Sequence, residues 1–328
     1  MSHLYDRSTT YIHKQFISYI CHTYLIKNFY ILLSISGGQD SLVLLKLVLD
    51  LQLDYHWVIG LVYFDHKLRL DSGINLKQVL NICKITQLKS YIYESIIAKY
   101  SEKIFRTWRY NILFDIASQY YYTKIFTAHT LTDLSETFLQ RVFRGCNTDS
   151  ITSIWPNTYK AKTLDLVRPL LSIKRSEISW LSRKFCLPVW SDYTNYQHSN
   201  TRNRLRQELI PYIQNFFQPI INNKIYSLLK NIEVDTEYLQ KATVKLYSLI
   251  KHPNFVAIHY FILLNQPKSL QYRVIKLFFK HSLNKLIPID KIDEILLILQ
   301  KKQKVLLSLS NLSLKLSFTD YWLYIVIK

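Results

Sequence analysis

Ser36, Gly37, Gly38, Gln39, Asp40 and Ser41 bring two glycines, two hydroxyls and a carboxylate into six residues. Adjacent glycines free the backbone of Cβ clashes, so a turn can aim several N–H groups one way. A helix starting there adds its own unpaired N–H groups and the positive end of its dipole. Such a corner suits phosphate. Ser36 and Ser41 would add hydroxyl donors. Asp40 would repel phosphate unless a cation stands between them, so it reads as a Mg²⁺ ligand or a helix cap. An ordinary capped strand-to-helix turn could use the same residues, and the surrounding pattern has to decide.

Three further groupings carry chemistry. His129 and Asp133 are four residues apart, with Glu136, Arg141 and Arg144 following at helical spacing. A neutral imidazole there could touch a nucleotide or relay a proton. Asp133 could hold Mg²⁺ or orient an amine, and it suits the first turn of a helix. Glu102, Arg106 and Arg109 share one helical face, as an ion pair or as an arginine platform for phosphate or a base. Arg202, Arg204 and Arg206 alternate ahead of an apolar anchor, and are expected on an RNA backbone.

The elements that must position these groups alternate. Ile31–Ile35 is an apolar strand ahead of the glycine corner, and Leu42, Leu45 and Leu49 repeat at helical spacing behind it. Strands are expected at Trp57–Phe64, Ser90–Ser95 and Lys124–Ala128. Helices are expected at residues 11–27, Ser72–Leu88, Phe105–Tyr121, Leu131–Arg144 and Lys174–Cys186. Strands alternating with helices predict a parallel sheet flanked by helices, the α/β class, with a site at the carboxyl ends of its strands. Ser36, Asp65, His66 and His129 all fall at such ends. A domain boundary is expected between 211 and 212, giving a helical lead-in at 1–27, a catalytic domain at 28–211 and a smaller, mainly helical domain at 212–328. Helices at 256–264, 268–282 and 288–301, and three short closing strands, are expected in the last part.

The chain has 328 residues and a formal net charge of +19. The excess is denser after residue 200, where 19 Lys plus Arg face 8 Asp plus Glu. With 25 Tyr, 16 Phe and 6 Trp among the cations, a polyanion with stackable bases is the natural partner. An AT-rich coding bias would raise Lys, Tyr and Phe as well. The 4 cysteines are widely spaced and form no CxxC, which argues for a reducing compartment and against a zinc knuckle or iron–sulfur cluster. No apolar run reaches ~18 residues, so no membrane span is expected, and no secretory signal is expected at the start.

The glycine corner lacks the Gly-Lys-Ser/Thr ending of a Walker A loop. It matches SGGxDS, the PP-loop of the N-type ATP pyrophosphatase superfamily, between the expected strand and helix. The other motifs follow in order. They are Asp65 His66 Lys67 Leu68 Arg69 with Ser72; Glu102, Arg106, Arg109 and Tyr110; Ala128 His129, Asp133, Glu136 Thr137 and Arg144 Gly145; Arg168 to Leu171; and Asp192, Asn195, Arg202 Asn203 Arg204 and Arg206. Together they resemble the tRNA(Ile)-lysidine synthase family, clearly over residues 28–211. Thr132 and Leu134 stand where that family usually has an acidic residue and a glutamine.

The resemblance implies an adenine nucleotide alpha hydrolase-like fold and an ATP- and Mg²⁺-dependent ligase. That ligase would join free L-lysine to carbon 2 of the wobble cytidine in a tRNA(Ile) with a CAU anticodon, through an adenylated tRNA. It assigns Asp40, His129 and Asp133 to catalysis, Ser36 to Ser41 to the nucleotide, and Asp40 with Asp133 to Mg²⁺. Arg106, Arg109, Arg144, Arg202, Arg204 and Arg206 go to phosphate or tRNA. A plastid stroma is the expected compartment, with a bacterial cytoplasm as the alternative, and a homodimer is left open. The competing readings are a tRNA thiolase of the same superfamily and a non-catalytic tRNA-binding protein with a decayed nucleotide site.

Overall fold

A computed structural model describes residues 9–21, 28–65, 72–95, 102–152, 160–161, 164–190, 201–301, 305–309, 312–319 and 321–327. The expected site positions His66 to Arg69, Asp192 and Asn195 lie outside the described residues. The chain divides into two compact units, Met1–Lys230 and Asn231–Lys328. The division falls inside one long helix, Ile221–Ile250, whereas the boundary expected from sequence was at 211–212.

The first unit starts with α1 (Tyr11–Cys21) and then alternates: β1 (Tyr30–Ile35), α2 (Gln39–Tyr55), β2 (Val58–Asp65), α3 (Ser72–Thr86), β3 (Lys89–Glu94), α4 (Glu102–Gln119), β4 (Lys124–Phe126) and α5 (Leu131–Phe143). A short helix, α6 (Thr148–Thr152), precedes β5 (Lys160–Ala161) and β6 (Leu164–Val167). A 3₁₀ turn, Pro169–Ser172, leads to α7 (Arg175–Lys184). The sheet order is β3-β2-β1-β4-β6-β5. All neighbours are parallel except the short β5, which turns back on β6.

That order decides where a site can form. From β1 the chain steps outward through β2 and β3, then returns to place β4 on the other flank. The crevice at a reversal of strand order opens at the carboxyl ends, between β1 and β4. The glycine corner follows β1 and the His129 segment follows β4, so topology alone brings them together.

Burial explains the helices. In α2 every residue from Ser41 to Leu51 is buried, which suits a helix wedged between the sheet and its neighbours. Within it, Lys46 reaches Asp50 at 2.5 Å, and His13 of α1 reaches the same carboxylate at 2.8 Å. The backbone N–H of Thr10 donates to His13 Nδ1, so Nε2 carries the proton donated to Asp50. The ammonium of Lys46 also lies 4.2 Å from the Phe185 ring centroid of the loop after α7. This buried network ties α1 and α7 to α2 without touching the crevice.

A helical run of α8 (Thr201–Arg204), a π-turn (Leu205–Leu209) and α9 (Ile210–Phe216) completes the crevice side. Pro211 explains the π-turn. It has no N–H for the preceding turn, and the neighbouring Ile210 N–H bonds instead to the Leu205 carbonyl, five residues back. The first half of α10 (Ile221–Ile250) packs Ile225 and Leu229 on Leu134 of α5 and Leu171.

The second unit holds the rest of α10, β7 (Ala257–His259), α11 (Tyr260–Leu264), α12 (Lys268–Leu283), α13 (Ile289–Lys301), β8 (Val305–Leu309), β9 (Leu312–Phe318) and β10 (Trp322–Ile327). Its sheet is antiparallel, in the order β7-β10-β9-β8. Phe278, Phe279, Ile275 and Ile295 form the middle of its core. Three of these strands match expectation. The fourth, β7, is only three residues long and was expected as the start of a helix.

Candidate active site

The glycine corner is a braced loop. Ser41 Oγ donates to the Gly38 carbonyl at 2.8 Å and accepts from the Ser36 backbone N–H at 3.2 Å. The Gly38 N–H reaches Ser36 Oγ at 3.4 Å, and Asn75 of α3 donates its amide to the Ser36 carbonyl at 3.2 Å. Gly37 has φ +78, the left-handed region where a side chain is strained. A Cβ there would also overlap the Asn75 amide oxygen. Gly38 caps α2 with extended backbone and no side-chain bond. The first turn of α2 therefore presents amides rather than a side-chain cap, as anion binding requires.

Asp40 stands in that first turn. Its Oδ2 is 3.8 Å from Arg175 Nη1 of α7, and its Oδ1 is buried with no hydrogen-bond partner. Burial pushes its carboxyl above the ordinary range, more than the Arg175 charge pulls it back, and Asp133 and Glu136 add to the rise. A buried carboxylate oxygen without a donor, beside an anion-binding loop, fits a cation such as Mg²⁺.

Facing the loop across the crevice, Thr127, Ala128 and His129 follow β4. Together with Ser36, Ser41 and Arg202 they line a hollow of about 190 Å³, open at its mouth. Arg106, Arg109 and Tyr110 of α4 form its other wall. His129 Nδ1 is 3.1 Å from Thr127 Oγ1. Burial pulls the imidazole well below its usual pKa, and Arg168, Arg106 and Arg202 add to the fall against a smaller pull from Asp133. His129 is thus neutral at pH 7 and a weak base among cations. A neutral imidazole there can accept or donate a hydrogen bond at the edge of the hollow.

Asp133 does not line the hollow. Its Oδ2 accepts from the Thr130 backbone N–H at 2.8 Å and from Thr130 Oγ1 at 2.9 Å, which caps α5. Its Oδ1 accepts from Arg206 at 2.7 Å and from Arg202 at 3.2 Å. Glu136, fully buried one turn on, takes the same two guanidiniums, Arg202 Nε at 2.7 Å and Arg206 Nε at 2.5 Å. Burial opposes the charge on Asp133, but Arg202, Arg206 and the Thr130 N–H outweigh it and hold its carboxyl below the ordinary range. Both oxygens are engaged, so the expected second Mg²⁺ ligand is here a helix cap and ion-pair partner. Among the described residues no group of three His, Cys, Asp or Glu side chains gathers to hold a metal ion.

The arginines divide by location. Arg106, Arg109 and Arg202 border the hollow. Arg206, expected on RNA, turns inward to Glu136 and Asp133, as Arg202 also does. Arg204 is exposed and pairs with Glu208 at 3.2 Å. Arg144 closes the end of α5, exposed and outside the hollow. Two cations were not singled out for the site from sequence. Arg168 is 6% exposed and acts on His129. Arg175 meets Asp40. Each precedes or opens a turn whose local pattern gives no sign of charge placement, although Arg168 stands in one of the matched motifs.

The family described as "PP-loop domain" matches residues 9–213. A protein of Pyropia yezoensis named "tRNA(Ile)-lysidine synthase, chloroplastic" is 40% identical over 96% of this chain and 96% of its own length. One of the same name from Gracilaria tenuistipitata var. liui is 36% identical over 96% of this chain and 99% of its own. This chain belongs to the tRNA(Ile)-lysidine synthase family. The α/β architecture of this family member agrees with that of the U34-tRNA thiolase NcsA from Methanococcus maripaludis, solved with its [4Fe-4S] cluster. That likeness has a TM-score of 0.56 at 15% identity, over 67% of this chain and 78% of the thiolase, and it bears on the fold alone.

Proposed function

We infer that this member of the tRNA(Ile)-lysidine synthase family is an ATP-using ligase that forms lysidine in tRNA(Ile). Kinship with relatives at 40% and 36% identity, each matched over 96% of this chain, carries the choice over a thiolase. The juxtaposition of the Ser36–Ser41 corner with His129 and Arg106 in one hollow supports it independently.

The residues would divide the work as follows. The amides of the α2 first turn and the hydroxyls of Ser36 and Ser41 receive the nucleotide's phosphates. Asp40 is our candidate Mg²⁺ ligand, and a bound Mg²⁺ would offset phosphate charge and ease departure of pyrophosphate. The cytosine leaves its stack to enter the hollow, where neutral His129 contacts the reacting base. Arg106 and Arg109 steady phosphate oxygens whose charge grows during the reaction. Oxygen on carbon 2 attacks the α-phosphorus and pyrophosphate departs. The ε-amine of free L-lysine then attacks carbon 2, and AMP departs with that oxygen. Asp133 and Glu136 hold Arg202 and Arg206 in place, so their contribution is positional. The chloroplastic relatives support a plastid stroma as the compartment, with a bacterial cytoplasm as the alternative. No helix among the described residues is long and apolar enough to cross a membrane.

Nucleotide analysis tests this reading. ATP should yield AMP and pyrophosphate only when tRNA(Ile) is present, and AMP release should depend on lysine. ADP as the product, or AMP formed without RNA, would contradict it.

A further inference from the structure

The helical run from Thr201 to Phe216 serves the hollow at one end, where Arg202 lines it. At its other end three rings gather in solvent. Tyr212 has its centroid 4.9 Å from Phe216 and 5.8 Å from Phe217. Their exposures are 54%, 72% and 73%. Three large rings left in water side by side mark an interaction surface.

The charge of the chain selects the partner. Arg202 and Arg206 are engaged by Asp133 and Glu136, and Arg204 by Glu208, so the positive excess belongs to the whole chain rather than to this helical run. At a formal net charge of +19, two copies of the chain repel each other, whereas a polyanion is drawn to it. Exposed rings on a strongly basic chain fit single-stranded nucleic acid, since every base has a face to stack. Reach agrees. Tyr212 and Phe216 lie ten and fourteen residues beyond Arg202, which is ~15–21 Å along a helix. That distance corresponds to roughly four to six nucleotides at stacked spacing.

We propose that Tyr212, Phe216 and Phe217 form a stacking platform for unpaired bases of the RNA substrate, several nucleotides from the reacting cytidine. The proposal rests on the RNA-substrate reading above. It gives the helical run two roles, an arginine at the chemistry and rings that fix how the loop approaches.

The test uses the full-length protein and tRNA(Ile) transcripts carrying 2-aminopurine at successive positions of the anticodon loop. Wild type should quench the fluorescence at one or two positions away from the cytidine. Phe216→Leu and Tyr212→Leu keep an apolar side chain but remove the ring face. Each should lose the quench and raise KM for tRNA ~10-fold, the scale of one lost base stack, with the loss falling on KM more than on kcat. Phe216→Trp should retain both. Leu variants that bind and quench like wild type would overturn the proposal. So would loss of self-association on sedimentation with tRNA affinity unchanged, which would make the patch a face between copies. Quenching by a wild-type protein that forms no lysidine would support the platform while contradicting the activity.

Discussion

Replacing Glu136 by Gln keeps the shape of a fully buried side chain and removes its charge. The guanidiniums of Arg202 and Arg206 then lose the carboxylate they both close on. Breaking one partner out of a buried pair costs ~3–5 kcal/mol. Two features reduce that here. Asp133 still faces both guanidiniums, and the arginine side chains are 29% and 26% exposed, so water screens them. The expected cost is ~2–3 kcal/mol. At ~2–4 °C per kcal/mol for a unit of this size, Tm should fall by ~4–12 °C. Thermal melts followed by circular dichroism at neutral pH would measure it. A Glu136→Gln, Arg206→Met double variant should recover much of the loss, because the stranded charge is gone. A single variant melting within ~1 °C of wild type would refute the buried four-residue cluster.

Gly37→Ala meets both a left-handed φ and the Asn75 amide, so ATP affinity should drop at least ~10-fold, as calorimetry can show. The same change in an Asn75→Ala background should cost less, since only the φ strain remains. Asp40→Asn removes a half-buried carboxylate whose charge is disfavoured, so the metal-free protein should melt no lower than wild type. The Mg²⁺ dependence of AMP formation should weaken sharply, and an unchanged Mg²⁺ titration would clear Asp40 of the metal role. His129 is held below its unfolded pKa by burial and by Arg168, Arg106 and Arg202. Its contribution to stability is therefore complete above pH ~6.5 and declines as pH falls, by ~1.4 kcal/mol per unit for one proton. His129→Asn should flatten the acid limb of a urea-derived stability profile by up to that slope, and an unaltered limb would mean that the imidazole titrates normally.

What could be read from the sequence was local. The glycine corner between an apolar strand and a leucine-rich helix is written in neighbouring residues, and so is the alternation that makes a parallel sheet. Strand order then brought Ser36 and His129 together, as alternation and strand-end placement anticipate. Asp133 shows where local reading stops. Its suitability for a first helical turn was visible, but its other partners, Arg202 and Arg206, lie 69 and 73 residues away. Spacing cannot show that two arginines on a later helix will swing inward and occupy a carboxylate expected to hold metal. For the same reason Arg175 and Arg168 were not singled out, since each acts on a residue distant in sequence. The strand β7 escaped because three residues beside a short helix carry no period of their own.

On the proposed function, the Ser36–Ser41 corner and the His129 hollow together join lysine to a cytidine in tRNA. Radiolabelled lysine, ATP and a CAU-anticodon tRNA(Ile) transcript measure this directly. Acid-stable label should enter the RNA at the wobble position, require ATP, and vanish when that cytidine is replaced by uridine. Label absent from RNA that the protein nonetheless binds would mean that it is not a lysidine-forming ligase.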